Sequence, residues 1–227
     1  MKSQQEFQGS AKAIISFTDS YTYNKERKQN EQPEPESASS LTKVISPLQL
    51  LLNQINNQTC KQVIKFQNLL HSLISLAIFK LGTHINQELD QLRLQVRCNS
   101  RWCLWWIHQY GDEYDQLELV NNRYGRVMSI TYSTAGGIGE EQDLGIQIGL
   151  NNFYNFLRDL YKGRHYFGQT SFQPLPLLAR RTVEQIEEEG AIEEIEAQMI
   201  NNGNYGNIKN SANYAKAATL NRFIHKH

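Results

Sequence analysis

Two segments in the first half of the chain carry apolar residues at the three-to-four-residue spacing of a buried helix face. SPLQLLLNQI opens with Ser46, a favourable N-cap, and Pro47, which is tolerated at the first helical position. The next segment has apolar residues at positions 63, 66, 70, 73, 77 and 81, and Gly82 then provides a stop. We therefore predict a helical hairpin over residues 45–82.

The pattern changes to a period of two near residue 91. In QLRLQVRCNSRWCLWWIHQ, a turn at Asn99-Ser100 would place Val96 opposite Cys103 on one apolar face of a hairpin. A second pair of strand-like segments lies on either side of a loop at residues 121–125. Residues 91–133 are accordingly predicted to form a small antiparallel β-meander.

The helical period returns over residues 140–225, whereas residues 1–44 are polar, charged and interrupted by proline. We predict a disordered N-terminal tail over 1–44, followed by a single α+β domain over 45–225. In this domain helices flank the meander and a three-helix unit closes the chain. An all-α helical repeat is the alternative fold class.

The closing segment QIEEEGAIEEIEAQM resembles the helix–glycine–helix junction of an armadillo repeat, as in the last repeat of importin-α-type proteins. Five residues fall on that pattern: Ile186, Glu189, Gly190, Ile192 and Ile195. A third helix would begin with Ile208, Ala212 and Ala215. The resemblance covers about 40 residues without a visible upstream repeat, so it implies three packed helices rather than a nuclear-import role.

Charge and hydropathy exclude several classes of protein. Lys plus Arg and Asp plus Glu are both 23, so no net charge favours nucleic acid or an anionic membrane. The longest apolar run, residues 69–81, is too short to span a bilayer. Because the start lacks a secretory pattern and the cysteines number three, we expect an intracellular protein, cytoplasmic or nuclear and not secreted.

The glutamate-rich segment near the C-terminus is best explained as the solvated face of two short helices. Thr182 and Gln185 form a capping-box pattern there, and Gly190 separates the two helices. The alternative is an acidic docking patch for a basic partner, formed by Glu184, Glu187, Glu188, Glu193 and Glu194.

The second face of the predicted hairpin is a candidate interaction surface. It would combine Arg93, Arg97, Trp102, Leu104 and Trp106, and aromatic rings between arginines can bind single-stranded nucleic acid. The alternative interpretation is that a flanking helix covers this face and makes the tryptophans core residues.

Motifs that would indicate chemistry are incomplete. The glycine-rich STAGGIGEEQDLG has Gln142 where a phosphate-binding loop needs its third glycine, and its acidic residues would repel a phosphate. The predicted hairpin places Cys98 and Cys103 on one face and His108 on the other, so they could not share a metal ion. We predict no catalytic, cofactor-binding or metal-binding residue.

These observations favour a non-catalytic protein-interaction or structural subunit of a larger assembly, with protein partners. One alternative is a single-stranded nucleic-acid-binding module that uses the Arg/Trp face. The other is a small enzyme whose site is assembled from scattered residues that no motif reveals.

Overall fold

The structure, a computed structural model, describes residues 2–27, 37–55, 57–133, 143–166, 168–201 and 207–220. The described residues are mainly helical. The helices are α1 (Lys2–Arg27), α2 (Ala38–Gln54), α3 (Asn57–Lys65), α4 (Leu69–Ala77), α5 (Gln87–Tyr110), α6 (Glu113–Asn121), α7 (Tyr124–Tyr132), α8 (Asp143–Lys162), α9 (Pro176–Glu188), α10 (Ala191–Gln198) and α11 (Ile208–Thr219). The chain divides into two compact units, Met1–Tyr110 and Gly111–His227.

The predicted β-meander is wrong, and the all-α alternative is consistent with the structure. In place of the first hairpin, α5 continues as a helix through Asn99 and Ser100. Its buried face consists of Leu89, Arg93, Val96, Arg97, Ser100, Cys103, Leu104, Ile107 and His108. This set has the spacing of a helix. Four of its members are polar, and several of the apolar residues that alternate in the sequence, Leu92, Leu94 and Trp105, are only half-buried, so the apolar pattern resembled a strand.

The second predicted hairpin is replaced by α6 and α7. Asp112 caps α6: its side chain accepts from the backbone N–H groups of Tyr114 and Asp115, and the Asp115 carboxylate accepts from the N–H of Asp112. Arg123, in the left-handed conformation with φ 62°, separates α6 from α7. The β-branched residues of α7 are accommodated because Val127 packs into the core, so tertiary packing overrides their strand preference.

The N-terminal segment that the composition predicts to be disordered contains a long helix. Buried residues of α1 recur at Phe7, Ala11, Ile14 and Thr18, and the helix packs against α2 and α4. The ring of Phe7 meets Phe66 edge-on, with 6.0 Å between centroids. The buried stripe is narrow and includes small and polar residues, which explains why the apolar pattern looked weak. Residues 28–36 of the predicted tail lie outside the described residues.

The predicted helical hairpin over residues 45–82 contains three helices rather than two. Helix α2 begins at Ala38, with Ser37 as its N-cap, and Pro47 lies inside it. The second predicted helix is split into α3 and α4, and Asn68, with φ 66°, precedes α4 in the left-handed conformation. Gly82 has the positive φ expected of a stop residue, in the turn after α4. Helices α2 and α4 both pack against α5.

In the second unit, α8 packs against α7 and α11, and its buried residues Leu150, Phe153, Phe156, Leu157 and Leu160 form much of the core. Within residues 140–225, where helices were predicted, the described residues contain α8 to α11. Gly190 adopts φ 66° between α9 and α10, as a break between two helices requires. None of the described helices combines the length and apolar composition needed to cross a membrane.

Candidate functional site in the second unit

The five residues of the predicted Arg/Trp face do not share one surface. Arg93, Arg97 and Leu104 are buried in α5, whereas Trp102 is 39% exposed and Trp106 is half-buried. Because α5 is a helix, positions 93 and 97 lie on a different side from 102 and 106. The sheet face that was a candidate interaction surface is therefore not formed.

The arginines of α5 donate hydrogen bonds to backbone carbonyls at and beyond the end of α4. Arg93 Nη1 donates to the carbonyl of Thr83 at 2.8 Å, Arg97 Nη1 to that of Phe79 at 3.1 Å, and Arg101 Nε to Ala77 at 3.0 Å. The last carbonyls of a helix carry partial negative charge and lack partners within the helix, so guanidinium groups stabilise them. These side chains hold α4 and α5 together.

The aromatic residues of α5 pack mainly on one another. Trp105 meets Trp102 and Trp106 edge-on, with centroids 5.4 and 4.5 Å apart. Trp106 stacks on Tyr110 at 5.2 Å with an interplanar angle of 8°. Only Trp102 of the three tryptophans exposes more than a third of its surface, so the cluster offers a small apolar area rather than a stacking platform.

The predicted acidic patch is only partly available as a negative surface. Glu184 forms an ion pair with Arg180 at 2.9 Å, whereas Glu187, Glu188 and Glu193 are exposed and Glu194 is half-buried. Beside them, a cleft of about 340 Å³ contains Glu187, Glu193 and also Lys216. Lys216 in turn pairs with Glu196 at 2.6 Å. Cations thus lie among these carboxylates.

The three cysteines are free thiols, and no cluster of three or more potential metal ligands occurs among the described residues. Cys60 and Cys103 are buried, and Cys98 is half-buried. Burial raises the pKa of the Cys103 thiol well above its usual range, which makes it a poor nucleophile. The glycine-rich segment lies largely outside the described residues, at positions 134–142.

The main candidate site is an open groove of about 910 Å³ in the second unit. Three stretches of chain form it: the start of α6, the link over residues 171–175 and the start of α9. Its lining residues are Asp112, Glu113, Tyr114, Leu117, His165, Ser171, Phe172, Gln173, Pro174, Leu175, Pro176, Leu177 and Leu178. The sequence pattern gave no indication of the groove, because the residues on its two walls are about 60 positions apart.

One wall of the groove is fixed by backbone pairing. Arg164 and Phe172 form an antiparallel β-bridge, in which the N–H of each residue donates to the carbonyl of the other at 2.9 and 3.1 Å. The Leu175 N–H donates to the carbonyl of Leu160 at 2.7 Å. At Gly163, with φ 75°, an added Cβ would lie 2.6 Å from the carbonyl oxygen of Phe172, so the approach requires glycine.

The buried Arg164 side chain stabilises the same wall. Its guanidinium lies 4.6 Å from the ring centroid of Phe172, Nε donates to the carbonyl of Thr170 at 2.9 Å, and Nη2 donates to the carbonyl of Gly111. The buried carboxylate of Asp159 lies 4.0 Å from its Nη1. Arg164 therefore connects the link to Gly111, two residues before α6 begins.

The rest of the groove presents apolar and acidic side chains. Tyr114 is 57% exposed, Leu117 is half-buried, and Leu177 at the start of α9 is 76% exposed. Asp112 and Glu113 supply carboxylates, and none of the described lining residues is lysine or arginine. The groove is therefore apolar over most of its surface, with negative charge at one end.

Comparisons with known proteins give no relative from which a function could be inferred: no family model, no curated protein and no solved structure matches the chain.

Proposed function

We propose that the chain is a non-catalytic protein-interaction or structural subunit that works within a larger assembly. The observation that carries this proposal is the groove, an open and largely apolar concavity with Tyr114 and Leu177 exposed at its edges. Exposed aromatic and large aliphatic side chains around a concave surface are typical of protein interfaces, where removing them from water supplies binding energy.

The disposition of reactive groups supports a non-catalytic role. The Cys103 thiol is buried with a raised pKa, and Arg97 is engaged with a backbone carbonyl. In the groove itself, Asp112 caps α6. These three side chains thus serve the fold, whereas Tyr114, Leu177 and Glu113 contribute apolar area and charge to the groove.

The burial of the arginines argues against the nucleic-acid alternative. It required Arg93 and Arg97 on an accessible face beside the tryptophans, and both arginines are buried and donate to backbone carbonyls. A neutral net charge also supplies no general attraction for phosphates.

The free thiols support the proposal that the protein works inside the cell, in the cytoplasm or nucleus. All three cysteines are unbridged, as is usual in a reducing compartment. The order of α9, α10 and α11, with Gly190 between the first two, is compatible with the armadillo resemblance. Under this proposal these helices form a packing surface of the subunit.

The proposal is tested by isolating the tagged chain from its native extract and measuring stoichiometric partners by mass spectrometry. A double variant, Tyr114→Ala with Leu177→Asp, should lose the groove-bound partner, because both changes remove exposed apolar surface and one adds a charge. Ile200→Asp is the matched control: Ile200 is 84% exposed in the same unit but outside the groove. A chain that elutes alone at native concentration, or a partner retained equally by the wild-type and double-variant proteins, would contradict the proposal.

A further inference from the structure

We propose that the groove binds an extended peptide segment of the partner, which adds as a strand beside residues 171–173 and carries a lysine or arginine next to its apolar anchors. This inference rests on the proposed function, because it specifies what the interaction surface recognises.

The backbone of the link provides the first argument. The β-bridge turns the N–H and carbonyl of Phe172 toward Arg164. In extended chain, neighbouring residues direct their backbone groups to opposite sides. Ser171 and Gln173 consequently direct theirs away from Arg164, and both residues are exposed and line the groove. They offer up to about four backbone hydrogen bonds, as a sheet edge does in recognition by strand addition.

The shape of the groove provides the second argument. A peptide held along residues 171–173 projects alternate side chains to one side, about 7 Å apart along the strand. On that side the groove offers apolar surface from Tyr114, Leu117 and Leu177. Two apolar side chains of the peptide, separated by one residue, would therefore enter the groove while the residue between them points to solvent.

Charge complementarity indicates that the peptide carries a cationic side chain. Glu113 is exposed at the start of α6, next to Asp112, and both carboxylates line the groove. The described lining residues include His165 but no lysine or arginine. A cationic side chain beside the anchors would meet this negative end, whereas an acidic one would be repelled.

The test uses the full chain and defined peptides. A library of random octapeptides is panned on the protein, and the enriched sequences are synthesised with a fluorescein label. Their affinities are then measured by fluorescence polarisation. We expect enrichment of sequences with two apolar residues at positions i and i+2 and a nearby Lys or Arg. N-methylation of each peptide amide in turn should reveal alternation, with a loss of about tenfold at every second position and little change between.

Three protein variants test the groove. Leu177→Asp should abolish binding, and Tyr114→Ala should weaken it about tenfold. Glu113→Lys should remove the roughly threefold advantage of the basic peptide over its norleucine analogue, because an exposed charge pair contributes little more than this. Ile200→Asp and Glu188→Lys are the matched controls outside the groove. Circular dichroism of each variant shows that it is folded. Since Tyr114 and Leu177 are both exposed, either variant suffices if the other unfolds.

Three outcomes would overturn the inference: panning that enriches no peptide, enriched peptides that bind all groove variants as tightly as the wild-type protein, or N-methyl scans without alternation. Binding of a small apolar fluorophore alone, with no peptide selected, would indicate a small-molecule site and count against it. If a native partner is nevertheless lost from the Tyr114→Ala, Leu177→Asp double variant, the proposed function survives while strand addition fails. If that partner is also retained, both fail.

Discussion

The helical course of α5 can be tested by substituting Asn99, which lies near the middle of the helix but would occupy the turn of a β-hairpin. Asn99→Ala should stabilise the first unit relative to Asn99→Gly. In a helix alanine is favoured over glycine by about 1 kcal/mol. In a two-residue hairpin turn this residue needs a positive φ, which costs alanine about 1–2 kcal/mol and glycine almost nothing. The two folds therefore predict opposite orders of stability.

The local environment of Asn99 affects both variants equally and determines their stability relative to the wild-type protein. The side chain is half-buried, and its Nδ2 finds no hydrogen-bond partner among the described residues. A buried amide nitrogen without an acceptor carries a desolvation cost of about 1–3 kcal/mol, part of which truncation removes. Since alanine also has a higher helix propensity than asparagine, Asn99→Ala should be at least as stable as the wild-type protein.

The assay is urea unfolding followed by tryptophan fluorescence. All three tryptophans of the chain lie in α5, so the signal reports on the first unit alone. A difference of 1 kcal/mol moves the midpoint by about 0.3–1 M urea. Gln91, which is exposed in the same helix, provides the matched pair Gln91→Ala and Gln91→Gly, and alanine should again be the more stable. If Asn99→Gly unfolds at higher urea than Asn99→Ala, the helical assignment is refuted.

Three further measurements address other features. An aromatic disulfide reagent should modify Cys98 first, and Cys60 and Cys103 only after unfolding, because both are buried; rapid reaction of all three would contradict the packing of α3 and α5. Gly163→Ala should destabilise the second unit by about 2 kcal/mol or more in chemical unfolding, since it combines a positive φ with a close contact to backbone, and an unchanged midpoint would refute that close approach. Burial raises the pKa of Tyr124, so this phenol ionises at lower pH in the unfolded than in the folded state. Stability should consequently fall as pH rises above about 10, and Tyr124→Phe should reduce that slope by up to about 1.4 kcal/mol per pH unit; equal slopes would show that Tyr124 does not contribute.

Helices whose buried faces are apolar could be predicted from the sequence. In α4 and α8 most buried positions hold leucine, isoleucine or phenylalanine, with Ser72 and Asp159 among the exceptions, so the helical period is visible. Gly190 correctly marked the break between α9 and α10. In these segments the residues that determine the structure are also the residues that form the pattern.

The prediction failed where polar side chains occupy the buried face. In α5, Arg93 and Arg97 fill core positions because carbonyls after α4 accept their hydrogen bonds. The carbonyls that accept these hydrogen bonds lie 10 and 18 residues earlier, so the periodicity of α5 alone gives no sign that the buried arginines are hydrogen-bonded. Helix α1 shows the same effect more weakly: Ser10 and Thr18 are buried between its apolar residues. A pattern that counts arginine and serine as surface residues assigns such segments to a strand or to disorder.

The groove could not be predicted for a different reason, and the same reason makes it suited to binding. Its walls meet because Gly163 permits the approach of the link and Arg164 connects the link to Gly111. Neither residue belongs to a periodic segment. These contacts lie within the unit itself, so the backbone of residues 171–173 is already extended before any partner arrives. A rigid edge loses little conformational entropy on binding, and the ordering cost then falls on the incoming peptide alone.

The exposed glutamates of α9 and α10 have no comparable apolar concavity, so a basic partner there would gain mainly screened charge contacts. The groove is accordingly the surface of the second unit best suited to an interaction that is specific as well as attractive.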